Sequence, residues 1–108
     1  MEFRVLKYFL AIARQQNITR AAEELHLTQP TLSRQLQDLE EELGAPLFTR
    51  EKRRMKLTEA GLYLKARAEE MITLEEKTLD QFAHPLQIGI CPHTRFAGQK
   101  NNLYNGKG

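Results

Sequence analysis

Residues Asn17 to Gly44 read NITRAAEELHLTQPTLSRQLQDLEEELG, and the punctuation of this stretch decides the fold. Asn17 is a good N-cap for a helix from Ile18 to about Leu25, with Ala21, Ala22 and Leu25 turned inward. The small alanines let a following helix approach closely. Leu27 is placed to plug a tight turn, and Thr28 caps a second helix whose first turn accepts Pro30, since an amide there would lack a helical partner anyway. Leu32, Leu36, Leu39 and Leu43 then recur at helical spacing, and Gly44 ends the run by taking the left-handed conformation. Two capped helices around a short turn have the size of a helix-turn-helix.

With that leucine stripe buried, Gln29, Ser33, Arg34 and Gln37 must point elsewhere. Together with Thr28, Pro30 and Thr31 they form a face of short hydroxyls, amides and one guanidinium that can reach base edges and phosphates. The other half of the helix holds Asp38, Glu40, Glu41 and Glu42, which phosphates would repel, so a duplex has to be met by the N-terminal end. A plain structural role stands beside each functional one. Thr28 and Thr58 are equally readable as helix caps, Arg34 as a partner for Asp38 four residues on, and Gln29 as an idle surface amide.

Outward from this stretch, the apolar residues Phe3, Val5, Leu6, Phe9, Leu10, Ile12 and Ala13 predict a first helix from Phe3 to about Gln15. After Pro46, Leu47 to Arg50 and Met55 to Leu57 read as two short strands with Glu51 to Arg54 as their connection, a wing. The connection lacks the favoured Asn-Gly pair. From Arg50 to Lys56, the residues Arg50, Lys52, Arg53, Arg54 and Lys56 stand against Glu51 alone, a run that is a solvated surface when isolated and gains meaning beside the helical pair. Thr58 caps a long helix with Glu59 in its first turn, running to about Phe82. A helix of about 25 residues spans roughly 37 Å, beyond the reach of a three-helix core. Leu64, Ala68, Met71, Ile72, Leu79 and Phe82 are therefore expected to be covered by a second copy, in an antiparallel helix pair.

A chain of 108 residues with 41% hydrophobic content predicts one modest core with appendages. The formal charge of +2 is too small to argue for nucleic acid, so its distribution carries that argument. No apolar run suits a membrane helix or a secretory signal, and a cytoplasmic place is expected. Cys91 is the lone cysteine, which excludes an internal disulfide, and His26 and His84 sit apart from Cys91-Pro92-His93, so neither a metal site nor any cofactor is expected. No grouping of acid, base and nucleophile suggests an enzyme.

The residues AAEELHLTQPTLSRQLQDLEEELGAPLF from Ala21 to Phe48, then Arg50, Arg53 and Arg54, then LTEAG from Leu57 to Gly61, resemble the N-terminal domain of a LysR-type transcriptional regulator. The resemblance implies a mainly α fold, a three-helix winged helix-turn-helix with a short β-hairpin wing over 1–58 and a long linker and dimerisation helix over 59–84. It implies that Gln29, Thr31 and Arg34 approach bases, that Thr19, Thr28, Ser33, Arg50 and Thr58 hold phosphates, and that Arg53 and Arg54 lie at the minor groove. The implied partner is double-stranded promoter DNA bound by a homodimer, with a tetramer open to a full-length protein. Leu86 to Ile90 resembles the first strand of an effector domain, while Cys91 to Gly108 lacks periodicity, so 85–108 reads as a truncated start of that domain or a non-native, disordered tail. No small-molecule site is expected in so short a piece. A rival reading is a dimerisation module that forms mixed dimers with a full-length regulator.

Overall fold

The computed structural model describes residues 1–83, so the readings of Leu86 to Ile90, of Cys91 and of the end of the chain lie outside the described residues. The elements are α1 (Phe3–Gln15), α2 (Ile18–Leu25), α3 (Gln29–Leu43), β1 (Phe48–Glu51), β2 (Arg54–Leu57) and α4 (Glu59–Ala83). Each of the middle helices starts where a side chain can replace a missing helical acceptor. Asn17 Oδ1 accepts from the Arg20 amide at 2.9 Å, and Thr28 Oγ1 faces the Thr31 amide at 3.4 Å. Gly44 closes α3 with φ 72° and donates its amide to the Glu40 carbonyl.

One compact unit spans Met1–Thr73 and a second begins at Leu74, of which the described part is the remainder of α4. The first unit thus runs past Thr58, because α4 contributes to its core. Leu6, Phe9, Ile12, Leu32 and Leu39 are its fully buried centre, joined by Ala21, Ala22, Leu47, Leu64 and Ala68. Leu64 and Ala68 are 6% and 0% exposed, so they are not left for a second copy as the helix length suggested. Met71 and Ile72 are half-buried against the same cluster, which leaves Leu79 and Phe82 of the expected pairing set in the open. Leu43, expected within the buried stripe, is 41% exposed, since it falls in the last turn of α3 where the core has ended.

The wing differs from its sequence reading by one residue at each inner end. Phe48 pairs with Leu57, Thr49 with Lys56, Arg50 with Met55 and Glu51 with Arg54, leaving only Lys52 and Arg53 as the turn. Both turn residues have positive φ, 49° and 67°, the backbone of a type I′ turn, whose twist matches that of the flanking strands. Three contacts anchor this hairpin. The Phe9 and Phe48 rings pack with centroids 5.4 Å apart, the Met55 amide donates to the Gln16 carbonyl at 3.0 Å, and the Leu47 amide donates to Glu40 Oε2 at 2.7 Å.

Candidate nucleic-acid interface

Burial of Leu32, Leu36 and Leu39 turns the opposite side of α3 outward. Thr28, Gln29, Pro30, Thr31, Arg34 and Gln37 are exposed there and Ser33 is half-buried, so the N-terminal half of the helix presents amides, hydroxyls and one guanidinium together. Thr28 Oγ1 donates to Thr31 Oγ1 at 2.8 Å, and Gln29 Nε2 donates to Ser33 Oγ at 2.5 Å. Among the described residues Arg34 makes no ion pair, so the alternative of a bond to Asp38 is not realised and its guanidinium faces solvent.

The acidic half of α3 has structural employment. Glu40 holds the amide of Leu47 at the approach to the wing, and Glu42 pairs with the N-terminal amine of Met1 at 2.8 Å. These contacts keep carboxylates at the far end of the helix from Gln29 and Arg34, which preserves a sign gradient along it.

The wing adds cations. Arg50, Arg53 and Arg54 are exposed and form no ion pair among the described residues, whereas Lys56 pairs loosely with Glu51 at 3.6 Å. The bond from Met55 to Gln16 sets β2 beside the junction of α1 and α2, where Thr19 stands exposed in the first turn of α2. An open cleft of about 430 Å³ lies there, lined by Gln16, Glu51, Lys52, Arg54 and Lys56. Lys52 and Lys56 were not singled out from the sequence, although their place in the basic run was the signal available.

Thr58 is occupied otherwise. Its hydroxyl donates to the Pro46 carbonyl at 2.7 Å and accepts from the Gly61 amide at 3.0 Å, so its proton is committed within the fold. The helix-cap reading describes this geometry, and a phosphate bond would require the Pro46 bond to open. No group of His, Cys, Asp and Glu suited to a metal ion occurs among the described residues, and no described helix is long and apolar enough to cross a membrane.

Comparison with known proteins places these features in a family. Residues 3–62 match the model of bacterial regulatory helix-turn-helix proteins of the lysR family. The HTH-type transcriptional regulator BudR of Klebsiella aerogenes is 46% identical over 81 residues, covering 75% of this chain and 57% of its own length. The Hca operon transcriptional activator HcaR of Escherichia coli (strain K12) is 56% identical over 61 residues, covering 56% of this chain and 21% of its own length. The chain therefore spans about half of one relative and a fifth of the other. Among solved structures, the CbnR DNA-binding domain in complex with DNA superposes with a TM-score of 0.75 at 40% identity, covering 80% of this chain and 99% of that one. The BenM DNA-binding domain with benA site 1 DNA gives 0.76 at 37% identity, covering 80% and 97%.

Proposed function

The chain belongs to the lysR family of bacterial regulatory helix-turn-helix proteins, and from that premise we propose that it binds double-stranded promoter DNA sequence-specifically to regulate transcription. The observation that carries the reading is the exposed first half of α3, with Gln29 and Thr31 in the open and Arg34 without an ion pair, beside a wing whose arginines form no ion pair among the described residues. In this reading α3 enters a major groove by its N-terminal end. Gln29 pairs with an adenine edge, the Thr31 methyl meets a thymine methyl, and Arg34 reaches guanine or phosphate. Thr19, Thr28 and Arg50 lie along phosphates, and Arg53 and Arg54 lie at a narrow minor groove, whose negative potential attracts guanidinium groups. Pro30 and Gln37 flank the reading face, and a cytoplasmic place follows from the ligand.

Two copies would pair through α4, with the exposed Leu79 and Phe82 as contacts, joined by Leu74, which is 65% exposed. Pairing sets the separation of two α3 helices, near ~34 Å or a multiple of it in twofold readers, and hence an interrupted inverted repeat. The same exposed residues favour the second reading, in which the chain forms mixed dimers with a longer regulator.

Gel shifts of Arg53→Ala and Gln29→Ala at two salt concentrations test the assignment. Arg53→Ala is expected to weaken binding to every duplex and lower the salt slope by about one, whereas Gln29→Ala relaxes preference at one base pair. The reverse pattern would reject the division of labour, and tight pairing with no duplex preference would favour the mixed-dimer reading.

A further inference from the structure

The side chains presented by the first turn of α3 are coupled. Gln29 Nε2 donates to Ser33 Oγ at 2.5 Å, one turn along the helix, with Gln29 exposed and Ser33 half-buried. A primary carboxamide offers one carbonyl oxygen and two N–H donors. Bidentate reading of adenine uses the oxygen, which accepts from N6, and the N–H on the same side, which donates to N7. The second N–H points away from that edge. A hydroxyl on the same helix that takes this second N–H leaves the reading edge complete, and Ser33 Oγ is the hydroxyl bonded to Nε2. An unheld glutamine would have to freeze its rotatable bonds on binding, which costs conformational entropy and weakens discrimination. Ser33 is also placed to exert this effect because four residues of helix bring it over Gln29 while Leu32 and Leu36 on either side are locked in the core.

We propose that Ser33 is a positioning residue for base recognition: its hydroxyl holds the Gln29 carboxamide in the orientation that reads an adenine, acting through Gln29 and not as a phosphate anchor. The assignment rests on the DNA reading above and departs from the phosphate role that the family resemblance implies for Ser33. The neighbouring bond from Thr28 to Thr31 works in parallel. There Thr31 Oγ1 accepts from Thr28 Oγ1 at 2.8 Å.

The test uses the whole chain and four variants: Ser33→Ala, Ser33→Thr, Gln29→Ala and the double Ser33→Ala/Gln29→Ala. In the free protein, nitrogen-15 NMR of the Gln29 side-chain amide is expected to move toward solvent-exposed values in Ser33→Ala and to return in Ser33→Thr. An amide that ignores both substitutions overturns the proposal without reference to DNA. On duplexes selected by the wild-type chain, Ser33→Ala is expected to cut preference about tenfold at the base pair that Gln29→Ala affects. The salt slope should hold, and in the double variant the serine change should add nothing further. Equal loss on all duplexes with a flatter salt dependence makes Ser33 a phosphate contact, and additive losses make it an independent reader; either result overturns the proposal. A wild-type chain without any sequence preference removes the DNA reading and this assignment with it, while the amide spectrum still reports whether the bond exists.

Discussion

A Cβ on Gly61 would lie 2.2 Å from the Leu47 carbonyl oxygen and 2.8 Å from Leu57 Cδ2, so the first turn of α4 can meet the base of the wing only at a residue without a side chain. Gly61→Ala should therefore destabilise the fold by about 1–3 kcal/mol through overpacking, against a helix propensity gain of about 1 kcal/mol. Urea unfolding followed by circular dichroism checks this, and an unchanged or raised midpoint refutes it. Glu24 supplies a residue-scale effect of charge. Its carboxylate accepts from Gln15 Nε2 at 2.8 Å and from the Arg14 guanidinium, and these hold its pKa below the ordinary carboxylate range in spite of partial desolvation. A lowered pKa means the folded chain favours the ionised form, so this contribution is present above the unfolded value and disappears as pH falls through the folded one. Thermal melts of Glu24→Gln through an acid series should show a flatter loss of stability over that window than the parent. A parallel curve would mean that the bonds from α1 to α2 contribute nothing measurable.

At the scale of the element, the wing stores strain at its tip. Lys52 and Arg53 both sit in the left-handed region, which disfavours side chains with a Cβ, and each such residue costs about 1 kcal/mol or more. Lys52→Asn with Arg53→Gly installs the pair that a type I′ turn prefers. Stability should rise by about 1 kcal/mol, while DNA affinity falls and the salt slope drops by up to about two, because two cations leave the turn. Loss of stability in that variant would show that the turn is not strained in solution. The same turn explains why the strands extend one residue further inward than the sequence pattern indicates. Asn-Gly would have marked a two-residue loop in the sequence, whereas Lys-Arg carries no turn signal and is held in place by pairing and by the anchors at Phe48 and Met55. The helix starts were legible because Asn17 and Thr28 are cap-forming types whose bonds are local. The ends at Gln15 and Leu25 were legible as well, from where the apolar period stops, although the left-handed residues that close these helices, Gln16 and His26, are not glycine.

At the scale of the whole molecule, burial separates the apolar residues of α4 that serve the chain's own core from those that the proposed second copy would cover. Leu64 is 6% exposed, and Leu64→Ala should cost about 2–5 kcal/mol of stability whatever the oligomeric state. Leu79 and Phe82 are 63% and 57% exposed, so Leu79→Glu with Phe82→Glu should leave the melting temperature of the first unit unchanged while shifting sedimentation from dimer to monomer. Binding to a duplex with two half-sites should weaken, and binding to one half-site should persist. A double variant that sediments as the parent does would place the pairing surface elsewhere.

The sequence by itself determined the order of helices, the N-caps of α2, α3 and α4, the leucine seam of α3 and the polar face opposite it, because these follow from local bonds and from a period that the backbone imposes. It also carried the resemblance from which the roles of Gln29, Thr31 and Arg34 are proposed. Only the tertiary structure decided that α4 donates Leu64 and Ala68 to the core, that Leu43 escapes it, and that Thr58 spends its hydroxyl on Pro46. It decided as well that Ser33 holds Gln29. The physical reason is common to the first three: whether an apolar side chain is covered, or a hydroxyl engaged, depends on what distant residues bring to it, and periodicity along one helix reports a direction but not a neighbour.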